Sequence, residues 1–140
     1  MPFLLDTCAL SECIVRKPQA AVVVRIRTLP REETYIPAVA IGEINQGIEQ
    51  TPPSKRRDEL ADWLFNQILP AYFDRIIPLD KDEALNWGRL RAHMQRQGTA
   101  METEDSLIAA IALTHDLTLV TRNVEHFANC GVRVYNPWAS

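Results

Sequence analysis

Five short apolar runs, PFLL, TYIP, RIIPL, LTLVT and VRVY, punctuate the chain, and stretches with helical spacing stand between them. This alternation constrains the fold more than any other feature. Short strand-type runs joined through helices pair in parallel, and a parallel sheet needs helices on both faces. The expected architecture is α/β, a three-layer α/β/α sandwich around a central parallel sheet of four to five strands. A chain of 140 residues, 46% of them hydrophobic, supplies one sizeable core, so residues 1–140 are read as a single domain.

The intervening stretches carry their own start and stop signals. A first helix is expected around Cys8 to Val15, broken by Lys17-Pro18, and a second in AAVVVRIRTL despite its β-branched valines. Pro37 ends the second strand and suits the first turn of the next helix, AVAIGEINQGIEQ. There Ile41, Ile44 and Ile48 fall at helical spacing, with Glu43 beside the apolar stripe. After Pro52-Pro53, a further amphipathic helix is expected from Ser54 to about Tyr72. Asp80 can cap the following helix, and Gly98 ends it. METEDSLIAAIAL then opens the last long helix, with Glu102, Glu104 and Asp105 crowded at its entrance.

Charge and sulfur narrow the class. Fifteen basic and 18 acidic side chains leave a formal net charge of −3, which argues against a general nucleic-acid coat but permits a local basic groove beside an acidic centre. Three cysteines cannot all pair within one chain, and neither they nor the three histidines show zinc-site spacing. His93, His115 and His126 are read as structural or surface residues. The N-terminus reaches a charge after five residues and is not read as a signal peptide. No apolar run approaches the ~20 residues that span a bilayer, so the expected setting is cytoplasmic, with no membrane contact.

Parallel sheets of this class place their sites beyond the carboxyl ends of the strands. Asp6 directly follows the first strand, Glu43 lies in the helix after the second, Asp105 begins the helix before the fourth, and Asn123 directly follows the fourth. Three carboxylates sharing one partly dry pocket repel one another and lose hydration, which a divalent cation relieves. Oxygen ligands without His or Cys favour Mg²⁺ or Mn²⁺. A hard cation held in this way suits phosphodiester hydrolysis. Asp6, Glu43 and Asp105 are the candidate ligands, with Asn123 holding a water or orienting a carboxylate and Thr121 supporting it. Each has a plainer reading alone: Asp105 as a helix cap, Asp6 and Asn123 as turn residues, Glu43 as a solvated edge. Their joint placement is the stronger signal.

Thr7, Glu12, Glu102 and Arg122 are candidates for supporting or substrate contacts. Glu12 is expected to reach the pocket or to meet Arg122, and Glu102 sits one turn before Asp105. Glu104 and Glu125 are read as solvated acids. Lys55, Arg56 and Arg57, like Arg89, Arg91 and Arg96, are read as solvated helix faces, and Trp63 and Trp87 as packing residues.

On the segments FLLDTCALSE, YIPAVAIGEINQGI, EDSLIAAIALTHDLTLVTRNVEHF and GVRVYNPW, the chain resembles the PIN-domain ribonucleases. It is most similar to the VapC-type toxins of VapBC toxin–antitoxin pairs. The likeness covers essentially the whole chain in the expected order. It implies a Mg²⁺- or Mn²⁺-dependent endoribonuclease that cuts structured RNA such as tRNA or rRNA and halts translation. It also implies a small cognate antitoxin, a homodimer, and promoter DNA bound through the antitoxin. Asp6, Glu43 and Asp105 match the three main acidic places. Asn123 stands in the fourth, His126 where relatives often carry aspartate, and Cys8 where asparagine is more usual. A non-catalytic scaffold that keeps the fold is the alternative. A phosphatase is weaker, because position 8 lacks a second aspartate and there is no Gly-rich phosphate loop.

Overall fold

The computed structural model describes residues 2–139. Five parallel strands form one sheet in the order β3-β2-β1-β4-β5: β1 Phe3–Leu5, β2 Thr34–Pro37, β3 Ile76–Ile77, β4 Thr118–Val120 and β5 Val134–Tyr135. Register pairs Leu4 with Tyr35 on one side and with Leu119 on the other. The chain therefore builds outward from β1 to β3, returns to the far side of β1 for β4, and ends at β5. The place where the order reverses lies between β1 and β4, and there the strand exits leave a crevice.

Because side chains alternate across a strand, neighbouring residues serve opposite cores. Leu4 and Leu119 face the cluster built with Leu90, Met94, Ile108 and Ile111 of α6 (Lys81–Arg96) and α7 (Thr103–Thr114). Leu5 and Val120 face the other cluster, with Ala9 and Leu10 of α1 (Thr7–Ser11) and Val22 and Ile26 of α2 (Ala20–Arg27). Ile44 and Ile48 of α3 (Ala38–Gln50) join them. The expected α/β/α sandwich with a parallel sheet is borne out, with all five strands present.

Two helices differ from their expected spans. The first starts one residue earlier, because the Asp6 side chain accepts the Thr7 N–H and caps it. It closes at Ser11, with only looser turns reaching Val15 before Pro18. The expected helix over Ser54 to Tyr72 is present from a Ser54 cap, but as α4 (Lys55–Asp62), a π-helical stretch over Trp63–Ile68, and α5 (Leu69–Ala71). The widened turns precede Pro70, which has no N–H for the Asn66 carbonyl and whose ring crowds it. Among the described residues no helix is long and apolar enough to cross a membrane.

Candidate active site at the β1/β4 crevice

The site is built on Asp6. It leaves β1 with its backbone N–H still bonded to the Val120 carbonyl of β4, at 3.0 Å, so the two strand exits are laced together at this residue. Asp6 is 5% exposed, and its carboxylate is held from both ends. Oδ1 accepts the Thr7 N–H at 2.8 Å, and Oδ2 accepts the Thr121 hydroxyl at 2.6 Å and the Cys8 thiol at 3.6 Å. Thr121 is itself fully buried and accepts the Asn123 N–H at 3.1 Å. These donors satisfy the oxygens of a carboxylate that the fold has removed from water.

Thr7 carries the network to α3: its hydroxyl donates to Glu43 Oε1 at 3.1 Å. Burial pushes the Glu43 carboxyl above its ordinary range, the Thr7 bond opposes this, and the charges of Asp6, Glu104 and Asp105 push it further. Asp105 behaves alike. Burial raises it first, Asp6 next, while His126 pulls it back and Glu102 adds a smaller push. Glu43 and Asp105 therefore both sense the charge of Asp6, although the three lie in segments far apart in sequence. Asp105 caps nothing: its Oδ2 lies 3.2 Å from His126 Nδ1, and the N-cap position of α7 belongs to Glu102, which makes no side-chain capping bond. Glu102 and Asp105 share an open recess of about 440 Å³ with Thr103, Glu125 and His126.

The remaining candidates are placed differently. Asn123 joins through its backbone, and among the described residues its amide side chain bonds to none of the three acids. Glu12 is buried with Oε2 unpartnered and makes no ion pair with Arg122. The guanidinium of Arg122 instead lies over the Trp138 ring at 5.9 Å, and its backbone N–H points to Cys8 Sγ at 3.5 Å. Arg56 and Arg57 are engaged structurally, with the Ile14 carbonyl and with Glu49. Trp87 packs as expected, donating to Ser106 Oγ at 2.9 Å. Two residues of the site were not expected from sequence. His126 was set aside as structural or surface yet contacts Asp105, and Cys8 touches Asp6, Thr121 and Arg122. Glu104, read as a solvated acid, is exposed but close enough to influence Glu43.

Hard oxygen donors fit Mg²⁺ or Mn²⁺, and mutually repelling, partly dry carboxylates are relieved by positive charge. Among the described residues, however, no three His, Cys, Asp or Glu side chains stand together as a ready-made metal cage.

A family model described as PIN domain matches residues 3–131. Toxin FitB of Neisseria gonorrhoeae is 33% identical over 96% of this chain and 97% of its own length. VapC ribonuclease Y4jK of Sinorhizobium fredii is 31% identical over 96% of both chains. The structure of FitAB bound to an IR36 DNA fragment matches with a TM-score of 0.93 and 30% identity, over 99% of this chain and 96% of that one. Sequence, sheet order and the placement of the acids thus converge, and the chain belongs to the PIN-domain family, among proteins closely related to the VapC and FitB toxins.

Proposed function

We propose that the protein is a Mg²⁺- or Mn²⁺-dependent endoribonuclease, the toxin of a toxin–antitoxin pair, which cuts tRNA or rRNA and thereby inhibits translation. The observation that carries this reading is the convergence of three acids from distant segments at the crevice between β1 and β4: Thr7 ties Glu43 to Asp6, and the charge of Asp6 raises the carboxyls of both Glu43 and Asp105. Such a group of acids is stable and useful chiefly around a cation. Kinship with a VapC ribonuclease supports RNA as the substrate.

In this reading Asp6, Glu43 and Asp105 hold the ion, directly or through water. When bound, the ion neutralises charge on the transferring phosphoryl group and makes water a better nucleophile at neutral pH. The chain's own groups do the orienting. Thr121 and the Thr7 N–H set the Asp6 carboxylate, the Thr7 hydroxyl sets Glu43, and His126 holds one oxygen of Asp105. Asn123 stiffens the β4 exit through Thr121, and one charge fewer at this place weakens any second ion. Arg122, exposed on the same rim, is the proposed contact for the RNA backbone.

A small cognate antitoxin, a homodimer and promoter DNA bound through the antitoxin complete the proposal, in a cytoplasmic setting. The FitAB assembly on DNA supports this part. A non-catalytic RNA- or protein-binding scaffold is the second reading, favoured by the lack of a preset metal cage among the described residues. End-labelled tRNA and rRNA fragments, incubated with antitoxin-free protein in Mg²⁺, Mn²⁺ or EDTA, separate the two. Discrete products with metal and none in EDTA are expected. Binding without cleavage in either metal establishes the scaffold.

A further inference from the structure

Cys8 is a residue that no part of the proposed chemistry uses, yet it stands at the centre of the rim. Its Sγ lies 3.6 Å from Asp6 Oδ2, 3.6 Å from Thr121 Oγ1 and 3.5 Å from the Arg122 backbone nitrogen. The thiol donates to the carboxylate and accepts the Arg122 N–H, so one side chain on α1 spans the loops that leave β1 and β4. Those loops flank the point where the strand order reverses. Oδ1 of Asp6 is held by its own neighbour's backbone, whereas Oδ2 is held, among the described residues, by Thr121 and Cys8. The angle at which Asp6 presents its carboxylate therefore depends on the distance between the two exits. Thr121, extending from β4, and Cys8, bridging back to β4, are the groups that set this distance.

We infer that Cys8 is a positioning residue for the proposed nuclease centre, fixing Asp6 relative to the β4 exit through paired contacts to Asp6 Oδ2 and the Arg122 N–H. The inference rests on the functional reading above and names the part that holds its first acid in place. Reach matters as much as hydrogen-bonding capacity. A hydroxyl at this position is drawn back by its shorter bond to Cβ, and at these separations it no longer touches both partners. An asparagine amide reaches further and offers both a donor for Asp6 and an acceptor for Arg122. Loss of a partner that orients a metal ligand typically weakens the site's hold on the ion rather than its hold on the substrate.

The test is a series, Cys8→Ala, Cys8→Ser and Cys8→Asn, read by calorimetric titration with Mn²⁺ and by cleavage kinetics on an RNA that the wild type cuts. A positioning role orders Mn²⁺ affinity as Asn close to Cys, with Ser and Ala both about tenfold weaker. It also lowers kcat in Ser and Ala with KM for RNA unchanged. A packing role shows instead as lost thermal stability, with apolar Ala no worse than Ser and polar Asn the least stable, and with Mn²⁺ affinity per folded molecule the same in all variants. Wild-type Mn²⁺ affinity and kcat in Cys8→Ser, or an Asn variant weaker than Ala, overturns the assignment. If the wild type binds Mn²⁺ but cuts no RNA, the nuclease reading fails, while the same order of affinities still supports the role of Cys8. If the wild type binds no Mn²⁺, both fail.

Discussion

Glu43 concentrates the conflict between folding and the proposed function in one side chain. Burial and the surrounding acids raise its proton affinity, so in the metal-free protein its ionisation is opposed by the fold. A folded-state value above the unfolded one contributes stability below the unfolded value, and this is lost as pH rises through the folded one. At neutral pH the charged Glu43 is therefore a net cost. Glu43→Gln is expected to raise the melting temperature of the metal-free protein at pH 7 by a few degrees. The advantage should disappear near pH 4, where the wild-type residue is protonated, and shrink when Mn²⁺ is added. Thermal scans with and without Mn²⁺ check both; a variant less stable than wild type at pH 7 contradicts the account. The candidate acids could be picked out in the sequence because Asp6 stands at a strand exit, Asp105 at a helix entrance and Glu43 beside the apolar stripe of α3. His126 was not, because a turn after β4 brings it back onto Asp105, and nothing in VEHF signals that return. Cys8 was noted only as a departure from the usual asparagine, since its three contacts depend on how closely two strand exits approach.

At the scale of elements, α6 and α7 back the sheet behind Asp105, and Glu83 anchors that pair. Its carboxylate closes the Asp80 capping box, accepting the Asp80 N–H at 3.0 Å, and meets His115 at the end of α7 at 2.6 Å. Bonding to backbone N–H groups, its own first, and then to His115 holds the Glu83 carboxyl below its usual range. The stability it supplies is present above the unfolded value and lost as pH falls through the folded one. Glu83→Ala should cost roughly 1–2 kcal/mol at pH 7, as loss of a buried side chain that closes a helix cap does. The gap should close in acid. Urea melts at pH 7 and pH 4 measure it, and a variant as stable as wild type at pH 7 removes Glu83 from this role. Helix spans followed from periodicity and from Asp80, Gly98 and Pro18. The π-helical stretch at Trp63–Ile68 did not, because one proline can end, kink or widen a helix, and the packing of Trp63 and Leu64 decides which.

At the scale of the molecule, the alternation of strand and helix made the layers readable, but not the order β3-β2-β1-β4-β5. Order depends on which strand the chain returns beside, and the local pattern of β4 is the same wherever it inserts. That return matters most to the site, because it creates the crevice in which Asp6 faces Thr121, with Asp105 near enough to sense its charge. The central claim is that acids from three distant segments form one RNA-cleaving centre, and coupling between them is its signature. The direct measurement is single-turnover cleavage of one RNA target in Mn²⁺ by wild type, Asp6→Asn, Asp105→Asn and the double variant, each checked for folding by circular dichroism. Each single change should slow cleavage by roughly 10²–10³-fold, and the double variant should be scarcely slower than either, because groups that act as a unit are lost together. Wild-type rates in either single variant, or losses that multiply fully in the double, would show that these carboxylates do not share one centre.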